Sequence, residues 1–277
     1  MFRDLLSRND VIVGLAIIMF FVVLALFADY LSPYSYRETM FSEQPFQPPS
    51  AKHFLGTDQW GDDLFAHLIY GTRTVLFVAL TSAVISTVIG IVAGLLAGFY
   101  GGVIDELISR TIDILLIIPV IPLQIILAYY LGPSIWNIIL VIVLFGWITV
   151  ARVVRSQVLS IKNYPYIEAA RSLGASNTRI MFKHILPGVS GLGLAYVVLN
   201  ISNAIYTEAA LSFIGLGDPI APSWGKMLNY AYTYGAFTKG LWAWVFVPGL
   251  FIMLLSIATI IVGNAIIDIY TRRQRNI

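Results

Sequence analysis

Few residues of this chain have the types and spacing that covalent chemistry requires. Its three histidines, His53, His67 and His184, stand singly, without an HExxH pair or a dense ligand cluster around them. Gly225-Lys226 lacks the GxxxxGK(S/T) spacing and the hydroxyl that a nucleotide-binding loop needs. No Ser/His/Asp arrangement is evident. The absence of cysteine removes disulfides, thiol catalysis and thiolate metal sites. The chain is therefore expected to hydrolyse no ATP by itself and to be no enzyme in its own right.

Two other groups of residues stand out. Asn200, Asn203 and Thr207 fall at i, i+3 and i+7 in an otherwise apolar run, with Tyr206 and Glu208 beside them. Polar groups inside such a run face a cavity or another helix rather than lipid. Lining a path and bonding a neighbouring helix are both open for the two asparagines, and Glu208 needs a shielding partner that the sequence does not name. These four, Asn200, Asn203, Thr207 and Glu208, are the candidate translocation residues.

The second group is the stretch 164–187, YPYIEAARSLGASNTRIMFKHILP. Pro165 suits a first helical turn, where its missing N–H is unpaired anyway. Glu168 sits near that helix's positive end. Tyr166, Ala169, Ala170 and Leu173 share one small, smooth apolar face. Gly174 is placed to end the helix in the left-handed conformation, and Ser176 to cap a second helix. In that second helix Met181 with Ile185, and Phe182 with Leu186, form i,i+4 pairs. Pro187 is expected to keep it from running on unchanged. Two short helices joined at a glycine make a rigid knob that can carry a push from a soluble partner. An amphipathic loop resting on lipid headgroups fits the same pattern.

The elements that position these residues are membrane spans. Of 277 residues 58% are hydrophobic and 12% charged, about half the charged share of a soluble domain. Mean hydropathy is +0.82. A net charge of +2, with no basic run interleaved with aromatics, gives no footprint for nucleic acid. Six stretches reach the length of about 20 residues that a bilayer crossing needs: 11–28, 75–100, 112–131, 135–151, 192–216 and 243–267. The first is longer than a secretory h-region and ends in a poor cleavage site, so it is read as a retained anchor. The second carries Gly90, Gly94, Gly98 and Gly102 at four-residue intervals, a stripe for close helix approach. Pro119 and Pro122 predict a kink in the third.

Charge sets the orientation. With the N-terminus inside, Arg3, Arg8, Arg110, Arg152, Arg155, Lys162, Arg171, Arg179, Lys183, Arg272, Arg273 and Arg275 are cytoplasmic, against Arg37, Lys52, Arg73, Lys226 and Lys239 outside. Twelve against five places both termini, and the stretch 164–187, in the cytoplasm. The chain divides into an anchor helix with an external segment, 1–72, and a five-helix core, 73–277. Pro45 to Pro49 reads as an extended piece of the external segment. Aromatics from Trp224 to Trp244 crowd the outer edge.

Glu168-Ala169-Ala170, Gly174 and Leu186-Pro187 resemble the EAA motif of ABC-importer permeases, with His184 where that motif has an aliphatic residue. Phe54 to Asp58 (FLGTD), Gly61-Asp62-Asp63, Glu208 to Gly217 and Ala221 to Leu228 resemble the C-type subunits of the peptide/nickel branch of these importers. Asp62 stands where that branch has a basic residue. The resemblance covers most of the chain. It implies an all-α, six-helix permease of the type I ABC-importer fold, in the cytoplasmic (inner) membrane of a prokaryote. It makes Glu168, Ala169, Ala170, Leu173, Gly174, Leu186 and Pro187 the ATPase-coupling residues. It implies as partners a second homologous permease, two cytoplasmic ATPase subunits that bind ATP and Mg, and an extracytoplasmic solute-binding protein. Peptides are the expected cargo, with oligosaccharides or nickel chelates as alternatives. The rival classes are an ion-coupled secondary transporter, for which Glu208 is the one prominent ionisable candidate, and a membrane enzyme, which lacks a catalytic constellation.

Overall fold

The computed structural model describes residue 5, residues 8–36 and residues 43–275, and every regular element among these is helical. Of the residues in the charge count, Arg3 and Arg37 lie outside the described set, as do the side chains of Arg273 and Arg275. Helix α1 (Asn9–Leu26) is followed by a single turn, α2 (Ala28–Leu31). The external segment then leads into α3 (Leu64–Tyr100). Next come α4 (Gly102–Ile117), α5 (Val120–Leu131) and α6 (Ile135–Ile161). The knob contributes α7 (Pro165–Ser172) and α8 (Asn177–Ile180). Finally α9 (Leu186–Phe213), α10 (Trp224–Thr233) and α11 (Trp242–Arg275) complete the chain.

Among the described residues, five helical stretches are long and apolar enough to cross a membrane, and a sixth crossing exists if α4 and α5 are counted as one. That pair meets at a bend of 92°. The kink expected from the prolines is thus a full break: Ile118 and Pro119 are extended, and Pro119 occupies the N-cap of α5. Proline disfavours helix in the residue before it, and the next proline, Pro122, falls in the first turn of α5, where it costs little.

Helix α3 is the spine. Its 37 residues reach roughly 55 Å at 1.5 Å per residue, well beyond the roughly 30 Å of hydrocarbon. It begins earlier than the expected 75 because Asp63 caps it, Oδ1 accepting from Ala66 N at 2.7 Å. The other oxygen of Asp63 lies 2.8 Å from His53 Nδ1, both side chains buried. The extended piece at Gln47 is bound to Thr57, whose N–H donates to the Gln47 carbonyl at 3.1 Å while its hydroxyl accepts from Gln47 N at 2.9 Å. Residues 44–63 are therefore a folded cover on the end of α3.

At the other end α3 meets α6 along the glycine stripe. A Cβ on Gly90 would lie 2.5 Å from Val150 Cβ; on Gly94, 2.5 Å from the Ala151 carbonyl oxygen; on Gly98, 2.8 Å from Val158. The two backbones touch along this seam. Gly102 is not part of it. Gly102 has no neighbour within 4 Å of such a Cβ, and with Gly101 it adopts positive φ (+53° and +67°) to turn the chain into α4. Four-residue spacing extrapolated the stripe past the end of the helix, where the face no longer exists.

Polar ties fix the rest. Arg155 holds Asp105 at the start of α4 (Nη2 to Oδ2, 2.7 Å), and Lys162 Nζ donates to the Phe99 carbonyl at 2.6 Å. Arg73 grips the end of α1 through Asp29 at 2.8 Å and the Ala25 carbonyl at 2.6 Å. Trp224 is fully buried between α1, α3 and α11, its indole N–H donating to the Leu68 carbonyl at 3.1 Å.

The seam makes a sharp contrast available. Gly94→Val drives a side chain into backbone and is expected to destabilise the fold by about 1–3 kcal/mol or more. Gly249→Ala, a helical glycine with nothing within 4 Å, leaves stability unchanged or raises it. Thermal unfolding of the two purified variants in detergent measures both; equal melting temperatures would remove the seam from the account.

Candidate functional site

The knob forms as its sequence directs. Pro165 opens α7 and Glu168 lies in its first turn. The helix ends in paired reverse bonds, Gly174 N to the Arg171 carbonyl (2.9 Å) and Ala175 N to the Ala170 carbonyl (3.1 Å), with Gly174 at φ +82°. This is the glycine-ended Schellman arrangement, which satisfies carbonyls the helix would leave unpaired. Ser176 then caps α8, its hydroxyl accepting from Arg179 N at 3.3 Å.

One feature differs from expectation, the anchor. Ile167, outside the face expected from the sequence, is buried (1% exposed) against Val158 and Ile161 of α6 and Ile180 and Ile185 beyond the turn. Its signal was available: it is the one aliphatic residue of the first turn lying off the Tyr166/Ala169/Ala170 face. With Ile167 turned inward, Tyr166, Glu168, Ala169 and Leu173 are exposed and Ala170 is half-buried, and Leu173 reaches 88% exposure. At Pro187 the helix does not run on unchanged. The segment Met181–Ile185 is a π turn, and α9 starts at Leu186 with Pro187 in its first turn. A π turn is wound more widely than an α turn, which accommodates the proline ring and its missing N–H. The chain therefore runs as continuous helix from Asn177 to Phe213. His184 is half-buried, its ring 6.5 Å from that of Tyr166.

The fifth-span stripe divides. Asn203 and Thr207 line a cavity of about 630 Å³ together with Gln124, Thr149 and Tyr206. It opens where α4 and α5 break, with Leu116 and Val120 on its wall. Asn200 donates to Thr87 Oγ1 of α3 at 3.2 Å, a bond between helices. Glu208 is buried behind the cavity and accepts from the Ser212 hydroxyl at 2.6 Å. Gln124, buried at 5%, is a polar group that the sequence reading did not assign to the site; a glutamine just after the two prolines of a broken span was its signal.

Beyond Glu208 the chain folds into a tight outer turn. Asp218 accepts from Ile220 N (2.8 Å), Ala221 N (2.9 Å) and Ile135 N (3.3 Å), the last at the start of α6. Burial alone would raise the Asp218 pKa, but these N–H donors and Lys226 hold it below the usual carboxylate range. Lys226 binds the carbonyls of Asp218 and Pro219, and its burial draws its own pKa down against the pull of Asp218.

A helical membrane bundle with a polar-walled cavity, a protruding knob in continuous helix with one wall, and no nucleotide-binding loop is a transport permease. Residues 90–276 match the family described as binding-protein-dependent transport system inner membrane component, and the chain belongs to that family. Residues 1–49 match the N-terminal TM domain of oligopeptide transport permease C. The dipeptide transport system permease protein of Bacillus subtilis is 38% identical over 268 residues, 96% of this chain and 82% of its own length. The oligopeptide transport system permease protein of the same organism is 38% identical over 264 residues, 95% and 85% of the two chains. The glutathione transport system permease protein of Pectobacterium atrosepticum is 33% identical over 230 residues, 83% and 76%. This chain is accordingly the permease component of an inner-membrane importer and carries no ATPase of its own; such a system supplies ATPase and binding-protein partners from other chains.

The divided stripe predicts divided phenotypes. Asn200→Ala is expected to lower stability by about 0.6 kcal/mol, the typical worth of an interhelical bond in a membrane, with transport affinity unchanged. Asn203→Leu is expected to alter the transport KM with stability unchanged. Uptake kinetics and thermal unfolding on the same two preparations check it.

Proposed function

We propose that this chain forms half of the translocation path of an ATP-driven importer of di- and oligopeptides, a second homologous permease supplying the other half. Two ATPase subunits, holding the ATP and Mg, dock on the knob from the cytoplasm, where both termini lie, and a solute-binding protein delivers cargo to the opposite end. The named relatives, which are dipeptide, oligopeptide and glutathione permeases, support the cargo class. Twelve basic side chains against five support the orientation.

The observation that carries this reading is the inward turn of Ile167. It fixes α7 to α6 and leaves Tyr166, Ala169 and Leu173 facing out with no covering element among the described residues. Alanine at the centre of that face lets a partner's backbone come close. The continuous helix beyond it places Asn203 about 26 Å from Leu186 at 1.5 Å per residue, so displacement of the knob is delivered to the cavity wall. Glu168, Gly174, Leu186 and Pro187 shape this unit, giving it a polar first turn, a fixed elbow and an entry into α9.

The test is uptake of a labelled dipeptide into proteoliposomes holding the full complex. Ala169→Glu and Ala170→Glu place charge on the docking face, and each is expected to abolish uptake and substrate-stimulated ATP hydrolysis while membrane insertion stays normal. Gly174→Val, strained at φ +82°, is expected to do the same by displacing the elbow. Normal uptake by all three would end the coupling assignment. The cargo is settled separately by mass spectrometry of the ligand that co-purifies with the cognate binding protein.

A further inference from the structure

Asp58, Asp62 and His67 lie together at the end of the bundle opposite the knob, with one ligand atom from each within 4.8 Å of the others. Both aspartates are only 2% exposed. Asp58 is held by its own loop, Oδ1 accepting from Trp60 N at 2.8 Å and Asp62 N at 2.9 Å. Asp62 Oδ2 stands 3.6 Å from His67 Nε2, too far for a hydrogen bond. Asp62 Oδ1 and His67 Nε2 are both buried without a hydrogen-bond partner. Asp62 and His67 also line one cavity of about 340 Å³.

Two buried carboxylates beside one imidazole carry uncompensated negative charge, which a low-dielectric site does not tolerate unaided. Among the described residues, the nearby cations are engaged elsewhere. Lys52 pairs with Glu43 at 2.5 Å and Arg73 with Asp29 at 2.8 Å. Lys226 lines the same cavity but spends its ammonium on backbone carbonyls. The basic residue usual at position 62 in the resembled loop is replaced here by an acid, which makes the deficit deeper.

We propose that Asp58, Asp62 and His67 bind a divalent transition-metal ion, with Zn2+ as the first choice. Two carboxylates and a neutral imidazole bring a dication to zero net charge. Imidazole nitrogen selects against Mg2+ and Ca2+, which favour all-oxygen shells. Zinc bonds of 2.0–2.2 Å place tetrahedral ligands about 3.3 Å apart, so side-chain rotation within the cluster closes the site and a water completes it. The ion would staple the loop carrying Asp58 and Asp62 to the first turns of α3. Trp60, between those two aspartates, packs edge-on against Tyr230 of α10 at 5.0 Å. The site would thereby stiffen the surface at the cargo-receiving end, and it stands whatever the cargo is.

The assembled transporter, dialysed against chelator and then equilibrated with Zn2+, is assayed for bound zinc by atomic emission. Wild type is expected to hold one more zinc per copy of this chain than either Asp62→Asn or His67→Gln. Asp113→Asn, an exposed carboxylate elsewhere, keeps the wild-type value. Equal zinc in wild type and both variants overturns the proposal. Should the variants not assemble, zinc X-ray absorption on the wild type decides: a shell of oxygen with one imidazole supports the site, and zinc without imidazole, or no zinc, refutes it.

Discussion

Contact between two backbones at Gly90, Gly94 and Gly98 is the constraint on which the remaining structure depends. Lipid tails are as apolar as leucine, so spans gain nothing by merely hiding apolar faces from one another. What holds α3 to α6 is dispersion at short range and the polar ties at its ends, and both need the missing side chains. The same seam organises the knob. Leu95 and Phe99 of α3, with Val154, Val158 and Ile161 of α6, form the cluster that receives Ile167, Ile180 and Ile185. The knob is thus seated on the end of the tightest packing in the molecule. A push on its outer face meets a rigid support on one side and the start of α9 on the other.

At the cavity the opposite principle operates. The 92° break between α4 and α5 frees backbone carbonyls that a membrane interior does not forgive unless they meet protein or water. Placing the break on a polar-walled cavity resolves this. Gln124, Thr149, Asn203 and Thr207 then share the wall with apolar residues such as Ile121 and Phe145. The wall is rigid where α9 leans on α3 through Asn200 and Thr87, and open where α5 departs.

Much of this was legible in the sequence because it rests on strong local rules. Proline at 165, glycine at 174 and serine at 176 each do what their backbone chemistry dictates, and the apolar runs are helical where hydropathy puts them, the third broken at its prolines. Failures came where an outcome depends on what lies across a gap. Ile167 was passed over because a one-dimensional face count does not say which side of a short helix meets the body. Pro187 marked a change in the helix, but the π turn that absorbs it has no sequence signature. Gly102 continued a pattern whose helix had ended. The split of Asn200 from Asn203 is set by the position of Thr87, more than a hundred residues away. The cluster of Asp58, Asp62 and His67 was hidden because its histidine was read as solitary.

The cavity wall also bears on how transport is driven. Coupling to an ion gradient needs groups that change charge within the path, and the residues lining this cavity are all uncharged. Glu208, the one ionisable residue in the polar run of α9, is instead buried behind the wall and bonded to Ser212. The exposed knob, fixed at Ile167 and continuous with the helix that carries Asn203, is the element most directly joined to that cavity wall.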